Sequence, residues 1–153
     1  MHTPDEDAAV SAMRELILAA ESYRAAASSR LGLSPTDSQA VSYLLARGPL
    51  GQNELATALG LTTGSVTPLV DRLERNGIAR RTPHPTDRRR IIVELSPERS
   101  AVLRDVRDWL FEAYTDIPAD QLPEAIKLLN TLTVGLRTRS TPAVANEPAT
   151  AGT

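Results

Sequence analysis

GQNELATALGLTTGSVTPLVDRLERNG, residues 51–77, decides the fold. Leu55 and Leu59 fall on one side of a short helix over about residues 52–59, and Gly60 ends it where the backbone needs positive φ. Thr62 or Thr63 caps a second helix that runs to about Asn76, where Gly77 stops it. Within this helix Val66, Leu69, Val70 and Leu73 stand at i, i+3, i+4 and i+7, which makes one apolar face. Gly64, Ser65, Pro68, Asp71, Arg72 and Arg75 form the other. Two helices joined by a tight glycine turn are the helix-turn-helix pattern.

Pro68 interrupts that helix. A proline inside a helix removes one backbone bond, and its ring presses on the carbonyl four residues back, here that of Gly64. The expectation is a local kink or a loosened first turn on the outward side. The alternative is a shorter helix that begins later.

Downstream the period changes from helical to alternating. Ile78 to Thr82 reads as a short strand. Arg90 to Leu95 alternates, with Ile91, Val93 and Leu95 on one face and Arg90, Ile92 and Glu94 on the other. Between them PHPTDRR, residues 83–89, carries turn chemistry. A hairpin directly after a helix-turn-helix is a wing.

Upstream, residues 8–30 lack Pro and Gly, and Val10, Met13, Ile17, Ala20 and Tyr23 recur at helical spacing. This predicts a long amphipathic helix ending near Gly32. Ser34-Pro35 starts another helix, with Ala40, Val41, Leu44 and Leu45 apolar and Gly48 as its end. After the wing, Ser96 as cap and Pro97 in first position predict a helix to about Tyr114 or Asp116. A last helix carries Leu122, Ala125, Leu129, Leu132 and Leu136. The stretch from 140 to 153 has little to bury and is expected to be disordered. The fold class is therefore mainly α with a small β-hairpin wing.

Composition narrows the chemistry. The chain has no Cys, which excludes disulfides, a thiolate metal site and a thiol redox switch. Its two histidines stand at 2 and 84, so neither a metal site nor a catalytic triad is expected, and no phosphate loop is present. We expect no enzyme activity, no metal and no cofactor. No apolar run approaches the ~20 residues of a membrane span, and the acidic MHTPDEDAAV start lacks an apolar signal region. A cytoplasmic protein without membrane association is the expectation.

Charge is unevenly placed. Net charge is −2, yet residues 62–95 hold seven arginines against four acids. A basic island on an acidic body suits one face that meets a polyanion. A recognition helix presents its N-terminal residues to base edges in the major groove. Here those are Thr62, Thr63, Ser65 and Thr67, with Arg72 and Arg75 further along. The helix N-terminus itself favours a phosphate.

Residues 55–96 resemble the MarR family, the multiple antibiotic resistance regulators, which are dimeric winged helix-turn-helix transcription factors. The resemblance lies in Asp71-Arg72-Leu73-Glu74, Gly77, Arg81, Asp87-Arg88-Arg89 and Leu95-Ser96. It departs at Pro68, where members often carry a basic residue. The resemblance implies a homodimer on a palindromic double-stranded DNA operator, acting as a repressor released by a small-molecule effector. It implies a division into a dimerisation helix (1–33), a winged helix-turn-helix domain (34–96), C-terminal dimerisation helices (97–139) and a tail (140–153). The wing-tip arginine that enters the minor groove falls on Arg89, with Arg88 a candidate backbone contact. Asp87 would brace the wing by pairing with an arginine, Arg72 being the candidate. Tyr23, Tyr43, Trp109 and Phe111 are candidates to line an effector pocket. The rival expectation is a winged-helix protein–protein module without a DNA role.

Overall fold

The structure, a computed structural model, describes residues 3–140. Ser140 ends the last helix; the rest of the tail expected to be disordered lies outside the described residues. The chain forms two compact units, Met1–Asp108 and Trp109–Thr153.

Helix α1 spans Pro4–Leu31, so it begins four residues before the predicted start. The reason is a capping box. Thr3 Oγ1 accepts from the Glu6 N–H at 3.2 Å, and the Thr3 N–H donates to Glu6 Oε2 at 2.7 Å. Hydrogen bonds from Thr3 to the carboxylate, the backbone one first and then the side chain, hold the Glu6 carboxyl below its usual pKa. The helix buries only Ala27 and Ser28, near its C-terminal end. Val10, Leu16, Ile17 and Leu18 remain exposed.

Helix α2 (Pro35–Arg47) has Ser34 as its N-cap, accepting from the Asp37 N–H at 3.2 Å. Strand β1 (Leu50–Gly51) leads into α3 (Gln52–Leu59). Gly60 then adopts φ 66°, and the Leu61 N–H reaches back to the Ala56 carbonyl at 2.9 Å. That left-handed residue makes the turn of the helix-turn-helix without a Cβ penalty. Helix α4 (Thr63–Arg75) follows, with Thr62 as N-cap. It continues through Pro68, so the helix does not start late. Val66, Leu69, Val70 and Leu73 are all 1% exposed or less, as the spacing predicted. Each such side chain contributes ~1.5–3 kcal/mol relative to exposure.

Gly77 (φ 66°) closes α4. Its N–H bonds the Glu74 carbonyl at 2.8 Å, and the Ile78 N–H bonds that of Leu73 at 2.9 Å. This pairing reverses the chain into strand β2 (Ala79–Pro83). Strand β3 (Ile91–Leu95) returns antiparallel, with Arg80 opposite Glu94 and Pro83 opposite Ile91. β3 is the central strand, because β1 pairs on its other side through Leu50–Val93 and Gly51–Ile92. At two residues, β1 is too short to carry any periodic signal.

The alternation expected for β3 holds only in part. Val93 is fully buried, but Ile92 is buried too, while Ile91 is 46% exposed. Ile92 lies mid-sheet between Gly51 and Thr82, whereas Ile91 sits in the outermost rung beside the wing tip. A second correction concerns the exit from the wing. Pro97–Arg99 form a 3₁₀ turn, and helix α5 (Ser100–Glu112) begins after it. The Ser96 N–H, bonded to the Ile78 carbonyl at 2.8 Å, extends the β2–β3 ladder by one step and delays the helix.

Helix α6 (Leu122–Ser140) belongs to the second unit. Leu122, Ala125, Leu129 and Leu132 are partly buried, whereas Ile126, Leu128, Val134 and Leu136 stay exposed. Among the described residues no helix is long and apolar enough to cross a membrane.

Candidate nucleic-acid interface

The buried face of α4 sets its outward face by geometry. With Val66, Leu69, Val70 and Leu73 locked into the core, Thr63, Ser65 and Thr67 must face solvent, and all three are exposed. Their hydroxyls differ in what they already do. Thr62 Oγ1 accepts from the Ser65 N–H at 3.2 Å and lies 2.9 Å from Ser65 Oγ, so this pair is occupied with capping. Thr67 Oγ1 donates to the Thr63 carbonyl at 3.2 Å and accepts from Gln52 Nε2 at 2.6 Å. The Thr63 hydroxyl is exposed and has no protein partner among the described residues.

The arginines divide more sharply. Arg72 is bound by Asp37 in a fork, through Nε at 3.2 Å and Nη2 at 2.7 Å. Asp37 is 4% exposed, and its hydrogen bonds raise the Arg72 pKa above the usual guanidinium value. The pair ties the first turn of α2 to the last turns of α4. Sequence inspection missed Asp37, which reads there as an ordinary first-turn acid 35 residues from its partner.

Arg81 is a hub on β2. Its Nη1 pairs with Asp71 Oδ1 at 2.8 Å and with Glu74 Oε2. Its backbone N–H donates to Glu74 Oε1 at 2.8 Å. Its Nε faces Gln52 Oε1 and its Nη2 the Thr67 carbonyl, both at 3.5 Å. Arg81 thereby ties α3, α4 and β2 together. Next to it, Arg80 pairs with the opposing Glu94 at 2.8 Å. Arg75 remains exposed, with Nε on the Asp71 carbonyl at 3.3 Å.

The wing tip is built locally. The His84 N–H bonds the Arg90 carbonyl at 2.9 Å, and the Arg90 N–H bonds the Asp87 carbonyl at 2.9 Å. Residues 87–90 are therefore a tight turn with Arg88 and Arg89 at its two central positions. Asp87 Oδ1 accepts from the Arg89 N–H at 3.1 Å, as an acid at the first position of such a turn does. The expected pairing of Asp87 with Arg72 is therefore corrected. Arg72 is taken by Asp37 on another element, and Asp87 braces the turn's own backbone. Arg90 approaches Glu54 at 3.7 Å. The guanidinium groups of Arg88 and Arg89 have no protein partner among the described residues.

The four aromatic candidates are scattered. Tyr23 is half-buried on α1, where burial raises its pKa. Tyr43 packs against the core under Arg47, whose guanidinium lies 4.7 Å from the ring centre. Trp109 and Phe111 belong to the second unit, the latter exposed. None of the four lines the apolar cleft of about 230 Å³ that Leu45, Leu95, Ser96, Pro97 and Leu103 form with Arg104 and Arg107.

Comparison with known proteins places this arrangement. A sequence profile of the MarR family matches residues 31–90. The uncharacterised HTH-type transcriptional regulator YcgE of Bacillus subtilis is 36% identical over 124 residues, covering 81% of this chain and 80% of the relative. A MarR family protein from Bacillus stearothermophilus shares the fold with a TM-score of 0.59 at 22% identity, over 86% of this chain and 97% of that one. NadR in complex with 4-hydroxyphenylacetate shares it with a TM-score of 0.60 at 21% identity, over 88% and 93% of the two chains.

Proposed function

The chain belongs to the MarR family of winged helix-turn-helix transcriptional regulators, and on that premise we propose that it reads a palindromic DNA operator as a homodimer. One observation carries the reading. Arg72 of the helix is paired with Asp37, and Arg80 and Arg81 of the first wing strand with Glu94, Asp71 and Glu74, whereas Arg88 and Arg89 at the wing tip have no acid partner among the described residues. A narrow minor groove concentrates negative potential and attracts such an inserted arginine. In this reading Arg89 enters the minor groove and Arg88 contacts phosphate. Thr63 and Ser65 face the major groove, and Thr62 and Arg75 contact the backbone.

The homodimer is supported by the apolar side chains that α1 and α6 leave exposed, Val10, Leu16, Ile17 and Leu18 on one and Ile126, Leu128 and Val134 on the other. Two wings reading half-sites about one helical turn apart gain the specificity that one module lacks. The chain acts as a repressor released by a small molecule. A neighbour of the same fold binds 4-hydroxyphenylacetate, and the cleft between Leu45, Leu95 and Leu103 is apolar with two arginines at its rim. A ligand there must favour one spacing of the two recognition helices, or it shifts nothing.

Selection of bound duplexes from a random pool at two salt concentrations tests the proposal. The expected result is an enriched inverted repeat whose log affinity falls with log salt by ~0.9 per phosphate contacted. Absence of both enrichment and salt dependence would instead favour a winged-helix module that binds protein.

A further inference from the structure

We infer that Gln52 is a positioning residue for DNA reading, a clamp that holds the recognition helix together where Pro68 breaks its hydrogen-bond ladder. Pro68 has no N–H, so the Gly64 carbonyl loses its usual helical donor in the turn that faces outward. Yet α4 runs through this point without a stop. The side chains around the gap explain how.

The protons allow one assignment. The Thr67 hydroxyl has a single proton, directed at the Thr63 carbonyl at 3.2 Å. Any further partner of that oxygen must therefore donate. Gln52 Nε2 does so at 2.6 Å from the start of α3. Its carbonyl end is left as an acceptor, and Arg81 Nε faces it at 3.5 Å. Arg81 is itself anchored to Asp71 at 2.8 Å and to Glu74, one and two turns further along the same helix. The clamp thus grips α4 on both sides of Pro68. An amide is the side chain that suits position 52, because it donates at one end and accepts at the other. A carboxylate would meet Arg81 but offer no proton to Thr67, and a thioether would do neither.

Two consequences follow. The Thr67 hydroxyl serves the helix rather than a base. The first turns of α4, with Thr63 and Ser65, owe their fixed position in part to a residue on another helix. The effect on DNA rests on the DNA-binding reading above; the effect on the helix does not.

The test is a cycle of Gln52→Met and Pro68→Ala in the full chain, read by amide hydrogen exchange on residues 63–71. With Pro68 present, Gln52→Met should speed exchange there about fivefold, the worth of one hydrogen bond. With Pro68→Ala restoring the backbone donor, the same change should have less than about half that effect. Thr67→Val should reproduce Gln52→Met, and Thr67→Ser should not. Equal effects in both backgrounds, or none, would overturn the clamp. On a duplex selected by the wild-type chain, Gln52→Met should lower affinity about fivefold and narrow the margin over duplexes altered under α4. Unchanged affinity and margin would refute the positioning role. If the wild type selects no duplex, the DNA reading fails, and exchange alone decides the clamp.

Discussion

The recognition helix and the wing tip carry the same kind of residue and use it in opposite ways. Arg72 of α4 and Arg81 of β2 are held by acids on other elements, Asp37, Asp71 and Glu74, and cross-link the winged core. Arg88 and Arg89 stand in an exposed turn whose hydrogen bonds come from His84, Thr86, Asp87 and Arg90 within the wing. Positive charge near DNA is thus not one function. An arginine already matched by a buried acid sets where the helix lies, and an unmatched one remains available to a polyanion. A count of basic residues in the sequence treats the two kinds alike.

The comparison can be broken most forcefully at its foundation. Leu73→Ala in the fully buried face of α4 should cost about 4 kcal/mol, seen as a lower urea midpoint. A loss near that expected of an exposed site would mean α4 is not seated as described. Next, Arg72→Ala should leave the Asp37 carboxylate buried without its two donors, at a cost to folding of about 2–3 kcal/mol. Arg72→Lys should recover little of it, since an ammonium cannot reproduce the fork. Full stability in the lysine variant would show that charge alone suffices.

The wing tip should respond in the reverse sense. Arg89→Ala should weaken binding to a selected operator by about 2 kcal/mol and leave the thermal midpoint where it was. A stability loss with intact binding would move Arg89 into the structural class with Arg72. Smallest is Arg88→Ala, with about 1 kcal/mol lost uniformly across sequences and a salt slope shallower by about one contact. A change of sequence preference in that variant would make Arg88 a reader rather than a phosphate contact.

Much of this fold is legible in the chain because its signals are short-range. The i, i+3, i+4, i+7 pattern of Val66, Leu69, Val70 and Leu73 survives intact as the buried face. Gly60 takes the positive φ its position suggested, and Gly77 ends α4 as expected, also at positive φ. The failures have physical causes too. The Thr3–Glu6 capping box starts α1 earlier than its apolar spacing shows. β1 is two residues long, and its pairing with β3 helps to explain why Ile92, placed on the same face as Arg90 and Glu94, is buried. The Asp87–Arg72 pairing failed because Asp37 holds Arg72, while the turn's own Arg89 N–H lies within reach of Asp87.

What the sequence determined alone was the order of the helices and the two wing strands, the buried stripe of α4, and a wing with an arginine-rich tip. Hydrophobic period and turn chemistry act over a few residues and can be read along the chain. What tertiary structure decided was which arginines are spoken for. Asp37 meets Arg72 across 35 positions, and Gln52 meets Thr67 across 15. Such pairings depend on how helices pack, since an ion pair or an amide bond forms where burial brings two side chains within about 3 Å. No local pattern encodes that distance.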